Sequence, residues 1–299
     1  MQHYQFGSAL IEGRQRTILA SVGQLYDLAS LLDHAEVPSV LALLQEWDTW
    51  EQRLGRLAEQ AAHGDMALDP AGLTWLPPIQ YPGKLACAGA NYQSHNAEMG
   101  HNTRTNYPYF FFKPPTTTLV GDGACVELPD FAQQIDWEVE LAVVIGRRVK
   151  HARGDAAMAA IAGYSILNDI SARDFLADQS FLGPDWVMLK GADGFAPMGP
   201  LITPAAFVPD PQALNLSLSV NGVPKQQAST ADMAFSVREL IEHLTAFMTL
   251  EPGDVIGTGT PPGVGFGRRP QEFLKPGDRM VAEIEGLGQL TTTMIAPQG

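Results

Sequence analysis

Two glutamates one residue apart in an apolar run, Asp136-Trp137-Glu138-Val139-Glu140-Leu141-Ala142-Val143-Val144-Ile145, are the first residues of this chain that ask for a chemical explanation. Side chains alternate along an extended strand, so Glu138 and Glu140 project to one side while Trp137, Val139, Leu141 and Val143 project to the other. Like charges on one face of an apolar strand repel, and burying either without a partner is expensive. A divalent cation would hold both, and ligands made only of oxygen favour a hard ion such as Mg²⁺, Mn²⁺ or Ca²⁺ over zinc. The same pattern also allows a solvated strand face with two exposed glutamates. Asp169 follows the apolar run Tyr164–Leu167 and is the candidate third ligand. Its local alternative is to cap the turn Ser171-Ala172-Arg173-Asp174.

Acid–base chemistry has its own candidates. His95 and Glu98 are three apart and share a face if Gln93–Glu98 is helical. A carboxylate beside an imidazole orients the ring and raises its basicity, which suits a general base acting on water. A solvent-exposed pair on a short helix would show the same spacing. The polar stretch onward to Tyr107 reads either as a lid over a site or as a surface loop. Lys190 ends the apolar run Trp186-Val187-Met188-Leu189, where an ammonium could meet an oxyanion or a substrate carboxylate. A lysine at the surface end of a strand is the alternative. Gly257-Thr258-Gly259-Thr260-Pro261-Pro262-Gly263 lacks the Gly-Lys-Ser/Thr of a phosphate loop. Its glycines let backbone amides approach a ligand closely, and Thr260 could donate its hydroxyl.

These residues need elements to position them. From residue 84 onward the chain reads as mostly β: Trp137–Ile145, Ile161–Leu167, Leu214–Val220 and Met280–Ile284 are short and rich in β-branched residues. Pro252-Gly253 and Pro276-Gly277 mark turns that lead into strands. A helix is predicted over Ser236–Met248, where Val237, Leu240, Ile241, Leu244 and Met248 share a face. Upstream, short strands lead to a helical piece at Leu25–Leu32. A longer helix over Val40–Ala62 carries Leu43, Trp47, Trp50, Leu54, Leu57 and Ala61 as one stripe. The prolines of Leu76-Pro77-Pro78-Ile79-Gln80-Tyr81-Pro82-Gly83 rule out a helix interior there. The chain is therefore expected to divide into a small domain, residues 1–76, and a catalytic domain, residues 77–299.

Bulk properties narrow the function. With 19 basic against 33 acidic residues the net charge is −14, which argues against nucleic acid or an anionic membrane as partner. A small anionic substrate stays possible, because a bound cation reverses the sign locally. Cys87 and Cys125 lack CxxC spacing and do not make a disulfide framework. No apolar run has the length of a membrane span and no signal-peptide layout opens the chain, so a cytoplasmic location is expected.

The order of the motifs carries more than any one of them. The chain resembles the fumarylacetoacetate hydrolase family from about Leu76 to about Glu285. The matching words are Lys84-x-x-Cys87-x-Gly89-x-Asn91-Tyr92-x-x-His95-x-x-Glu98, Pro108-Tyr109-Phe110-Phe111-Phe112-Lys113 and Asp136-Trp137-Glu138-Val139-Glu140-Leu141. Asn168-Asp169-Ile170-Ser171-Ala172-Arg173-Asp174, Lys190 with Pro197-Met198-Gly199-Pro200, and Thr258-Gly259-Thr260-Pro261 follow. The resemblance implies an α+β, mostly β fold: a mixed β-sandwich roll with a small N-terminal α/β domain, in a homodimer. It implies that Glu138, Glu140 and Asp169 hold Mg²⁺ or Mn²⁺, with Ca²⁺ able to substitute. It further implies that a 2-oxo-carboxylate chelates the ion, that Tyr92, Arg173, Gly259 and Thr260 contact the substrate, and that His95, Glu98 and Lys190 are catalytic. The expected reaction is hydrolytic cleavage of a C–C bond in an acylpyruvate-like or other dioxo acid. Isomerisation, hydration, dehydration or decarboxylation of a small 2-oxo acid is the alternative. Several members of the family carry a glutamine two residues after Ala-Arg-Asp. Leu176 stands there in this chain, and Gln179 is the nearest glutamine.

Overall fold

The computed structural model describes residues 2–32, 37–61, 66–100, 104–176 and 183–297. All seven residues of the strand Val139–Ile145 are buried, and the rest of the molecule is arranged around it. A strand that is apolar on both sides suits a sheet covered on both faces, and here the two faces feed different cores. Val139, Leu141, Val143 and Ile145 join Trp137, Leu216, Leu218 and Met280. Ala142 and Val144 join Phe6, Trp47, Leu54 and Val255. By alternation, Glu140 lies on the second side.

The strand pairs antiparallel with Ile161–Asn168 and with Val255–Gly257. The sheet has eleven strands. From one edge its path runs through Gln24–Asp27, Arg14–Ser21, Tyr4–Ile11, Ala196–Pro204, Ile161–Asn168, Val139–Ile145, Val255–Gly257, Leu85–Gly89 and Tyr109–Phe112. Tyr4–Ile11 meets Ala196–Pro204 at Phe6↔Ile202 and Gly7↔Leu201, so the N-terminal strands extend the sheet that carries the carboxylates. A five-stranded sheet, ordered Val223–Ser229, Asn215–Val220, Arg279–Ile284, Gly288–Ile295 and Ala124–Glu127, closes over one face. Helices Val40–Gln45 and Trp47–Ala61 cover the other face. The expected α+β, mostly β sandwich is the architecture that forms.

Four elements differ from the sequence reading. The strand expected over Trp137–Ile145 begins at Val139, so Glu138 stands just before it, and Ile135–Asp136 pairs separately with Ser171–Ala172. The helix expected over Val40–Ala62 is two helices, broken at Glu46, whose φ of −121° and ψ of 38° leave the helical region. Its apolar stripe stays buried across the break, because both pieces bear on one core; Ala62 itself lies outside the described residues. The helical piece expected at Leu25–Leu32 starts three residues later, at Leu28, because Gln24–Asp27 is drawn into the ladder with Arg14–Ser21. Trp186–Lys190 is a short helix capped by Asp185 and not the end of a strand, and Lys190 is buried.

The helix Val237–Phe247 forms where its stripe requires. Ser236 and Glu239 close a reciprocal cap: the Ser236 N–H donates to Glu239 Oε2 at 2.8 Å, and the Glu239 N–H donates to Ser236 Oγ at 3.3 Å. Replacing Ser236 with Ala is expected to cost about 1 kcal/mol of unfolding free energy. Urea denaturation reads it, and Ser236→Asn should recover most of the loss. An unchanged midpoint in the alanine variant would show that this cap does not stabilise the fold.

Candidate metal centre and active site

The three carboxylates come together because two strands end side by side. Val139 is in register with Asn168, so Asp169 emerges opposite Glu138. The Asp169 N–H donates to the Glu138 carbonyl at 2.9 Å, and the Asn168 side-chain oxygen accepts the Glu138 N–H at 3.0 Å. Ligand oxygens of Glu138, Glu140 and Asp169 lie within 4.8 Å of one another, and all three residues are buried. A solvated strand face is thereby excluded. The capping alternative for Asp169 fails as well: its carboxylate meets Lys113 and Lys190, while its main-chain oxygen takes the Ser171 hydroxyl.

Buried carboxylates must be compensated, and the compensation is uneven. Lys190 Nζ donates to Glu138 Oε2 at 2.9 Å and to Asp169 Oδ2 at 2.6 Å. Lys113 donates to the other Asp169 oxygen and, at 3.0 Å, to the Ile170 carbonyl. Arg173 gives Nε to Asp136 at 2.7 Å and Nη2 to Glu138. Burial works against ionising Glu138, but Lys190 and Arg173 outweigh it and hold this carboxyl well below the usual range. Glu140 has no such cation. Burial first, then Asp169 and Glu138, push its carboxyl far up. It accepts the Gly259 N–H on one side, and its Oε2 is buried with no hydrogen-bond partner.

That unpartnered oxygen is the test of whether an ion fits. Four carboxylates (Asp136, Glu138, Glu140 and Asp169) face three cations (Lys113, Arg173 and Lys190), a balance of −1 among the described residues. Three oxygen donors at one point, one of them otherwise unsatisfied, suit a hard divalent cation. Room for the Glu140 carboxylate is itself built in, since a Cβ on Gly257 would lie 2.4 Å from Oε2. The donor set does not distinguish Mg²⁺ from Mn²⁺.

His95 and Glu98 meet on the helix Gln93–Glu98, as their spacing predicts. His95 Nδ1 lies 3.0 Å from Glu98 Oε2, and Glu98 Oε1 accepts the Gly263 N–H at 2.9 Å. With Nδ1–H given to Glu98, Nε2 is the nitrogen left for a ligand. His95 borders a cavity of about 210 Å³ that also touches Glu138, Arg173, Lys190 and Thr260. One cavity therefore joins the base to the carboxylate cluster.

Other expected contacts take different places. Tyr92 is fully buried, away from the cavity wall, with burial and then Glu140 pushing its phenol up. It packs in the core, where its hydroxyl is buried with no hydrogen-bond partner among the described residues. Thr260 borders the cavity, but its hydroxyl donates to the Val139 carbonyl at 2.9 Å and accepts from Gln226 at 2.8 Å, so that proton is already used. Gly259 acts from behind the cavity through its bond to Glu140. Its φ of +91° and a Cβ position 2.8 Å from the Asn91 Cβ leave room for glycine alone. Arg173 borders the cavity with its fork engaged by Asp136 and Glu138. Of the stretch considered as a lid, 101–103 lies outside the described residues, as does Gln179. Arg104 is docked on Glu239 at 2.9 Å and over the Phe235 ring.

Sequence reasoning missed Lys113, Asp136, Asn91 and Gln226 as parts of the site. The first three stood inside matched words without a role. Gln226, which accepts the Val139 N–H at 2.9 Å from 87 positions away, left no local signal.

Comparison with known proteins agrees with this geometry. Residues 84–295 match the family model for the fumarylacetoacetate (FAA) hydrolase C-terminal domain. The chain is 41% identical over 223 residues to human mitochondrial oxaloacetate tautomerase FAHD2B, covering 75% of this chain and 70% of that protein. Among solved structures, fumarylacetoacetate hydrolase from Exiguobacterium antarcticum superposes with a TM-score of 0.77 at 30% identity, over 98% of this chain and 100% of that one. Maleylpyruvate hydrolase from Sphingobium sp. SYK-6, solved with manganese(II) and pyruvate, gives 0.79 at 26% identity with the same coverage. The buried triad, the fold that presents it and these likenesses together show that the chain belongs to the fumarylacetoacetate hydrolase family of enzymes.

Proposed function

We propose that this protein is a divalent-metal-dependent enzyme that moves a proton at the carbon next to the ketone of a small 2-oxo acid, interconverting its keto and enol forms. The observation that carries the reading is one cavity bordered by His95, which is paired with Glu98 behind it, and by Glu138 and Lys190, which are joined to Asp169 behind them. When bound, a divalent cation supplies chelation of the 2-oxo-carboxylate and polarises the ketone, which acidifies the neighbouring C–H.

The chain's own groups do the rest. His95 Nε2 takes the proton from carbon and delivers it to the enolate oxygen, and the reverse sequence ketonises, while Glu98 stabilises the intervening imidazolium through Nδ1–H. Gly263 fixes Glu98 in turn, so the ring is oriented before substrate arrives. An ammonium has three N–H groups, and Lys190 spends two on Glu138 and Asp169. The third is available to charge developing on the substrate oxygen. Apolar residues on the far wall, Leu176 among them, keep bulk water from the reacting carbon.

Hydrolysis of a dioxo acid remains the second reading, favoured by the same His–Glu pair. Leu176 on the cavity wall weighs against it, because no side-chain amide stands at that position to hold a second carbonyl. The human tautomerase, similar across most of the chain, supports proton transfer.

Following the enol absorbance of a 2-oxo acid should show faster ketonisation with no change of mass. Release of two carbon fragments from a 2,4-dioxo acid would instead establish hydrolysis. Glu98→Gln is expected to lower kcat by roughly 10²–10⁴-fold while metal binding is retained; full activity in that variant removes the base assignment. Mn²⁺ or Mg²⁺ at about 100 times its Kd should stabilise the protein by about 2.7 kcal/mol, raising Tm. Glu140→Gln should abolish that rise, and a chain whose Tm ignores both ions does not hold a metal here.

A further inference from the structure

The cavity divides by chemistry. One part of its lining is charged or polar: Glu138, Arg173, Lys190, His95, Asn96 and Thr260. The other is built from Met99, Phe111, Leu176, Trp186 and Leu189 and carries no charge. Phe111 and Trp186 stack with centroids 5.2 Å apart and planes 15° from parallel, so this wall is a fixed aromatic surface. Of the cations that border the cavity, Arg173 is held by Asp136 and Glu138, and Lys190, 5.0 Å over the Phe111 ring and bound to Glu138 and Asp169, keeps its one remaining N–H for the ketone end of the ligand.

Charge balance leads to the same place. With every carboxyl ionised, as ligation of a cation by Glu140 requires, the cluster sums to −1, four carboxylates against three cations. A divalent cation takes it to +1, and one substrate carboxylate brings it to zero. A second carboxylate on the ligand would face an apolar wall with no cation of its own, which is costly.

We propose that the ligand is a 2-oxo monocarboxylate whose far end is uncharged and apolar, selected by Leu176, Met99 and the stacked Phe111–Trp186 pair. This rests on the proposed grip of the 2-oxo-carboxylate at the triad. A matched pair of probes isolates the far end: 2-oxopentanoate and 2-oxoglutarate have the same chain length and differ by a terminal methyl against a carboxylate. Calorimetry on the Mn²⁺-loaded full chain should find 2-oxopentanoate tighter by at least about tenfold. Leu176→Arg should erase or reverse that preference by giving the second carboxylate a partner. Equal affinities, or tighter 2-oxoglutarate, in the unaltered protein overturn this inference and leave the proposed function standing. An unchanged ratio in the arginine variant overturns the assignment of Leu176 as a selector. If neither probe binds the metal-loaded protein, the proposed function falls and this inference with it.

Discussion

Burying carboxylates in the seam between two hydrophobic cores is the constraint from which the rest of this structure follows. Each costs several kcal/mol to desolvate, and four of them lie within one neighbourhood. Two lysines and one arginine, all buried, offset most of the cost. They do so unevenly: Glu138 is held ionised by its cations while Glu140 is left without one. The asymmetry is what a metal site requires, since a fully compensated cluster would have no affinity left for an ion. It also explains why the strand Val139–Ile145 sits in the middle of an eleven-stranded sheet. Only a strand with apolar neighbours on both faces and backbone partners on both edges can hold charged side chains still in a dry interior.

A second layer of polar residues fixes the backbone around that cluster. Gln226 accepts the Val139 N–H and donates to Thr260 and the Pro261 carbonyl, tying the carboxylate strand to the glycine-rich loop. Asn91 donates to the Phe235 and Thr258 carbonyls and accepts the Phe235 N–H, which seats the start of the base-bearing helix on the same loop. Buried side-chain amides that satisfy main-chain groups on three segments at once impose one arrangement, because any slip leaves several partners unmade.

Much of this was legible in the sequence, for identifiable reasons. Strand alternation put Glu138 and Glu140 on one side, and three-residue spacing put His95 beside Glu98; both are local rules that need no tertiary knowledge. Asp169 could not be separated from a turn cap, because what decides it is the register Val139↔Asn168 with a strand far along the chain. Lys190 was misplaced at the end of a strand since a five-residue helix is too short to show periodicity, and Asp185 alone marked its start. Tyr92 and Thr260 look like ligand contacts from their place in matched words. Whether a hydroxyl faces a cavity or a carbonyl is set by packing, which a linear pattern does not encode. Lys113 ends a run of aromatics that reads as core, and its charge made sense only once Asp169 was placed against it.

The glycine-rich loop touches both halves of the chemistry: Gly259 gives its amide to Glu140, and four residues on Gly263 gives its amide to Glu98. The spacing between Glu140 and Glu98 is thus carried by one short span of chain. The residues that face a substrate's far end come from elsewhere, Met99 after the base-bearing helix, Leu176 after the Arg173 turn and Trp186 at the head of a separate helix. Each of them shares its element with a charged or imidazole neighbour: Met99 ends the helix of His95, Leu176 ends the turn of Arg173, and Trp186 opens the helix that closes on Lys190. A substitution on that wall therefore bears on an element that also places His95, Arg173 or Lys190, so the apolar lining and the buried charges are bound to change together.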